Sequence, residues 1–126
     1  MRFMIMVPSS PDAEAGVLPD KELFAAMAKY NQALQKAGVL LELAGLHPTS
    51  KGALVRFADG KTTTASGPFA NAEDLIAGFW IIETKTKAEA IEWASRAPFG
   101  DGVVLQVRQI HDPADFPADI REVVAL

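Results

Sequence analysis

His47 stands between Leu46 and Pro48 and carries one of only two imidazoles in the chain. A histidine titrates near neutral pH, so His47 is a candidate general base. Two more candidates flank a short turn, Ser66 just before Gly67-Pro68-Phe69 and Asp74 just after it. The hydroxyl of Ser66 can donate or accept a hydrogen bond, but without a partner it is a poor base. Arg56 and Arg108 interrupt apolar runs. A buried guanidinium requires an acid or an anionic ligand, and it grips a carboxylate with two parallel bonds. The turn residues Gly67, Pro68 and Phe69 join the two arginines as candidate ligand contacts. Each candidate has a plainer alternative. His47 can simply end a strand, the turn can be purely structural, and either arginine can lie on a solvated face or in an intersubunit ion pair. The plainer reading is the stronger one for each residue taken alone.

Several chemistries are absent from the pattern. His47 and His111 share no metal-ligand spacing, and the chain has no cysteine. Thiolate metal sites, disulfides and a cysteine nucleophile are therefore excluded, which suits a cytoplasmic protein. There is no Ser-His-acid spacing and no glycine-rich phosphate loop, so neither metal nor cofactor is expected. Net charge is −4 with no basic run, which argues against a nucleic-acid surface. The opening apolar run, Phe3 to Val7, is too short for a signal peptide or a membrane span.

The elements that must position these residues follow from spacing. The length of 126 residues suits one domain, 1–126, with a real core. Phe3 to Val7 reads as a first strand and Pro8 to Pro19 as a surface loop. Asp20 caps a helix from about Lys21 to Ala37, with Leu23, Met27, Tyr30 and Leu34 on one face. Tyr30 is expected to pack in the core with its hydroxyl at an edge. Strands follow at Val39 to Leu46 and Ala53 to Ala58. Asp59-Gly60 is a hairpin signal leading into Lys61 to Ala65. Phe79 to Thr84 is a further strand. Thr86 and Glu89 have capping-box spacing and open a helix that buries Ala90, Trp93, Ala94 and Ala97. Val103 to Ile110 is the last strand, with Gln106 and Arg108 on one face, and Ile120 to Ala125 a short terminal helix. Two helices cover one face of such a sheet. The first strand and the Phe79 strand are nevertheless apolar on both faces. A second copy of the chain is the simplest cover for the other face, with loops or the C-terminal segment of the same chain as the alternative.

The join Ala37-Gly38-Val39-Leu40, the run Ser66-Gly67-Pro68-Phe69-Ala70 followed by Ala77-Gly78-Phe79-Trp80, and the later Glu89-Ala90-Ile91-Glu92-Trp93-Ala94 and Val107-Arg108-Gln109 resemble the YCII-related family. More narrowly they resemble its DGPF subgroup, whose signature is Asp-Gly-Pro-Phe-Ala-Glu-Thr-Lys-Glu. The resemblance runs from Met1 to His111. It implies an α+β, ferredoxin-like sandwich, with two helices on one face of an antiparallel sheet, that pairs into a dimeric α/β barrel. Most members of the family have no assigned activity. A few relatives of the wider fold are isomerases or dehalogenating lyases acting on small aromatic or lactone substrates.

The chain departs from that signature where chemistry matters. The signature aspartate falls on Ser66, and of its last four residues only the final acid is kept, as Asp74. Two function classes follow. One is a homodimeric module that binds a small anionic or aromatic metabolite, and the missing aspartate favours it. The other is an isomerase or lyase that uses His47, Ser66 or Asp74 in an intersubunit pocket. In both, the site is expected where the Gly67-Pro68 turn, the His47 strand end and the polar face of the last strand converge.

Overall fold

Alternation between the two sides of a strand and the three-to-four spacing of helices are both realised in the computed structural model. It describes residues 1–124, leaving aside the side chain of Glu73. Strand β1 covers Arg2–Pro8 and is followed by a short helix, α1, at Pro11–Glu14. Helix α2 spans Lys21–Lys36 and strand β2 Leu40–Gly45. A single 3-10 turn, Thr49–Lys51, leads to the hairpin β3 (Ala53–Ala58) and β4 (Lys61–Ser66). Strand β5 is Ile76–Glu83, helix α3 Lys87–Ser95, strand β6 Gln106–Gln109 and helix α4 Ala118–Arg121. The expected terminal helix from Ile120 to Ala125 is corrected: helix α4 begins at Ala118 and ends at Arg121, with Glu122 as its C-cap, while Ala125 and Leu126 fall outside the described residues.

The main sheet is antiparallel with strand order β2-β5-β1-β6. This is the ferredoxin-like order for two β-α-β units, with α2 and α3 on one face. The hairpin β3–β4 forms a separate two-stranded sheet inserted between β2 and β5. Phe3 and Ile5 of β1 and Trp80 and Ile82 of β5 meet Tyr30 and Leu34 of α2 and Ala90 and Ala94 of α3 in one buried cluster. Tyr30 and Trp80 pack edge to face with ring centroids 5.2 Å apart. Burial does not leave their polar atoms unpaired. The Tyr30 hydroxyl donates to the Trp93 carbonyl at 2.6 Å, and the Trp80 indole N–H donates to Asn31 Oδ1 at 2.8 Å.

Both long helices start where the caps predict. Asp20 accepts from the Leu23 N–H at 2.8 Å and Thr86 from the Glu89 N–H at 3.2 Å. The Glu89 carboxylate reaches one residue further back than a capping box requires, to the Lys85 N–H at 3.0 Å.

Several boundaries differ from the sequence expectation, three of them for visible local reasons. The Pro8 to Pro19 segment is not all loop. Ser10 accepts from the Ala13 N–H at 3.1 Å and Pro11 sits in the first turn, which together nucleate α1. Strand β5 starts at Ile76 rather than Phe79, because Ile76 and Gly78 still pair with the end of β1. On its other edge, a side chain at Gly78 would meet the Ala44 carbonyl oxygen of β2 at 2.6 Å, so the close approach of β2 to β5 depends on glycine. Strand β6 is shorter than Val103 to Ile110: the register with β1 runs from Gln106 to Gln109, and beyond it the Ile110 N–H donates to the Arg2 carbonyl at 2.8 Å.

The second face of the sheet carries two cross-strand rows, Glu42-Ile81-Met4-Arg108 and Ala44-Phe79-Met6-Gln106. Met4, Met6, Phe79 and Ile81 are half-buried, and none of them packs on the core cluster. Gln106 and Arg108 are exposed on this face, as the alternation along β6 requires.

Candidate functional site

The ends of β1 and β2 converge on the start of β5. Beyond β1, the Ser9 N–H donates to the Leu75 carbonyl at 2.9 Å; beyond β2, the Leu46 N–H donates to the Ala77 carbonyl at 2.7 Å. The chain leaves β2 through His47 and Pro48 and turns at once through Thr49 to Lys51. That turn is closed by the Lys51 N–H on the Pro48 carbonyl at 3.0 Å and the Gly52 N–H on the Thr49 carbonyl at 2.9 Å.

Thr49 ties three segments together. Its N–H donates to Glu14 Oε1 at 2.9 Å and its hydroxyl to Glu14 Oε2 at 2.6 Å, which fastens α1 to the turn. The same hydroxyl accepts from the Phe69 N–H at 3.1 Å. The Thr49 carbonyl lies against Gly67, so close that a β-carbon there would sit 1.7 Å from its oxygen. Gly67 in turn donates its N–H to the Gly52 carbonyl at 3.0 Å, and this bond closes the root of the hairpin. The peptide joining Gly67 to Pro68 is cis. Beyond it, the Phe69 ring lies beside Gly52.

These ties border a cavity of about 360 Å³ that is open to solvent on one side. Leu46, Pro48, Phe69, Leu75 and Ile76 supply apolar walls, and His47, Glu14 and Lys51 line the same space. Glu14 and Thr49 are half-buried, whereas His47 and Lys51 are exposed on its rim. A pocket of this volume sits at the small end of ligand sites and suits a single-ring molecule. Among the described residues, no three acids or histidines are grouped to hold a metal ion.

Of the residues singled out in the sequence, His47 and Phe69 line the cavity, and Gly67 and Pro68 form the turn that holds its wall. Ser66 is exposed at the end of β4 opposite Ala53, and Asp74 is exposed in a short 3-10 turn; neither lines the cavity. Arg56 is exposed halfway along the hairpin. The expected convergence with the last strand is corrected by the strand order. Strand β6 forms the edge opposite β2, with β5 and β1 between them, so Arg108 and His47 belong to opposite sides of the sheet. Glu14, Thr49 and Lys51 were not singled out in the sequence. The signal for Glu14 was present in Ser10-Pro11, a cap followed by proline at the first helical position. Lys51 carried no comparable signal.

The chain matches a family model described as the YCII-related domain over residues 1–112. A Rhizobium meliloti protein described as uncharacterized is 34% identical over 74 residues, which are 59% of this chain and 56% of that protein. The match thus spans little more than half the length of that relative. Among solved structures, the 5-chloro-2-hydroxyhydroquinone dehydrochlorinase of Burkholderia phenoliruptrix, in complex with 2,5-dihydroxybenzoquinone, is 15% identical. It superposes with a TM-score of 0.44 over 90% of this chain and 98% of its own.

Proposed function

The chain belongs to the YCII-related family, and from that premise we propose that it is a homodimeric, cytoplasmic module that binds a small metabolite in the strand-end cavity. The observation that carries the proposal is the meeting of His47, Glu14 and Lys51 with apolar walls in one space of about 360 Å³. Concave sites of mixed lining are where small ligands bind. The test is an NMR screen of single-ring fragments against ¹⁵N-labelled protein. Binding in the cavity moves the amide signals of Gly52, Phe69 and Ala77. Fragments that bind while leaving these three signals in place would refute the proposal.

A second reading rests on His47 itself. It shares the cavity with a carboxylate, which is the minimum an acid–base enzyme needs. In that reading the chain is an isomerase or lyase and His47 moves the proton. α-Angelica lactone in D₂O is a direct probe, because its isomerisation removes a proton from the α carbon and returns one at the γ carbon. The enzyme reading predicts deuterium incorporation and product formation above the buffer rate, abolished by His47→Gln. The binding reading predicts the buffer rate for both proteins.

A further inference from the structure

We infer, resting on the cavity as the binding site, that its ligand is a small organic anion with an apolar body and that Lys51 selects the charge. The three charged or titratable groups on the cavity are not equally available. Both carboxylate oxygens of Glu14 are engaged by Thr49, through its N–H at 2.9 Å and its hydroxyl at 2.6 Å. Turning Glu14 toward a ligand would break both bonds and release α1 from the turn. Glu14 therefore builds the site, and its negative charge is answered from within the protein.

Lys51 is differently placed. Among the described residues its ammonium makes no ion pair and no hydrogen bond. Its backbone, however, is held by the Pro48 carbonyl in the turn that forms the cavity rim. An uncommitted cation on a rim whose backbone is held, beside apolar walls, is suited to a molecule with one negative group and one ring. The His47 imidazole lines the same cavity and contributes an N–H donor in either protonation state. The arginines that the sequence suggested for an anion are elsewhere, Arg56 on the hairpin and Arg108 on the far edge strand. Because Lys51 is exposed, its attraction is screened by solvent and salt, and selection on the order of tenfold is the expected scale.

Three probes of equal shape and different charge test this: benzoate, benzyl alcohol and benzylamine, titrated by NMR at low ionic strength. The wild-type chain, Lys51→Met and Lys51→Arg are compared. Benzoate is expected to shift the Gly52, Phe69 and Ala77 amides. Its affinity should drop about tenfold in Lys51→Met and with added salt, and be kept in Lys51→Arg. Benzyl alcohol should bind more weakly and equally well to all three proteins. Benzylamine binding as tightly as benzoate, or benzoate binding unchanged in Lys51→Met, would overturn the assignment of the anion while leaving the cavity as the site. If no probe shifts those three amides, the cavity itself is not the site and the inference falls with it.

Discussion

Gly67 shows how a residue with no side chain can be the most constrained position in a site. A β-carbon there would lie 1.7 Å from the Thr49 oxygen and 2.5 Å from its carbonyl carbon, both backbone atoms that no rotamer change can move. Gly67→Ala should therefore cost about 3 kcal/mol or more, the upper range for inserting a methyl group into filled space. Urea denaturation would show it as a lowered midpoint, with the neighbouring exposed Ser66→Asp as a control within about 0.5 kcal/mol of wild type. The stiffness of Ser66-Gly67-Pro68-Phe69 was legible in the sequence; the close approach to Thr49 was not, because it depends on a contact between two separate loops. Tyr30 yields a second prediction at this scale. Burial pushes its phenol from the ordinary value of 10.0 up to about 12, against a smaller opposing pull from Arg96. The unfolded chain then releases the proton first, so the folded state binds more protons between pH 10 and about 12. The contribution of Tyr30 to stability is complete below pH 10 and is lost as pH rises toward 12, by about 2 kcal/mol. Tyr30→Phe removes that slope, and it costs about 1 kcal/mol at neutral pH through the lost bond to the Trp93 carbonyl. Comparing urea midpoints of the two proteins at pH 8 and pH 11 isolates the effect, since the chain has no other tyrosine. Equal slopes for both would contradict it.

At the scale of elements, caps and periodicities made α2 and α3 legible in the sequence. Asp20 and Thr86 both accept the bonds their positions foretold. Local chemistry determined these two elements, so local pattern revealed them. The short elements around the cavity are different. Helix α1 has four residues, no buried side chain, and a tie to the fold through Glu14. A helix so short is far below the length that holds itself together in water. Thr49 is thus the element that organises α1, the turn after β2 and the Phe69 segment. Thr49→Val keeps the shape of the side chain but leaves Glu14 Oε2 and the Phe69 N–H without their partner. The expected cost is about 1–3 kcal/mol. Its signature is local: amide exchange of Thr49 and Phe69 should accelerate, while that of Ile5 and Ile82 in the core changes only as global stability does. Thr49→Ser, which keeps the hydroxyl, should restore slow exchange. Uniform acceleration across sheet and cavity would show that Thr49 is merely one more packing residue.

For the whole molecule, alternation in β1 and β5 revealed a sheet with two apolar faces, but strand order could not be read from it. Order depends on which edges pair, and no local signal placed β6 beside β1 and away from His47. The observed order gives the open face a specific charge pattern. One cross-strand row runs Glu42, Ile81, Met4, Arg108, with an acid on one edge strand, a base on the other and apolar residues between. Two such sheets packed face to face about a two-fold axis parallel to the strands would set β2 of each copy over β6 of the other. Glu42 would then face the partner's Arg108 at both ends of the row, while Met4, Met6, Phe79 and Ile81 close over their counterparts. An isologous interface has this self-complementarity. The predicted species is a dimer of the 13.5 kDa chain in sedimentation equilibrium at micromolar concentration. Glu42→Arg and Arg108→Glu should each weaken it about tenfold, because each sets two like charges against one another twice per dimer. The double reversal should recover most of the loss, a coupling that neither substitution alone can mimic. A wild-type monomer at micromolar concentration would rule out the dimer. A stable dimer indifferent to both single reversals would retain the pairing of faces but reject this alignment of edges.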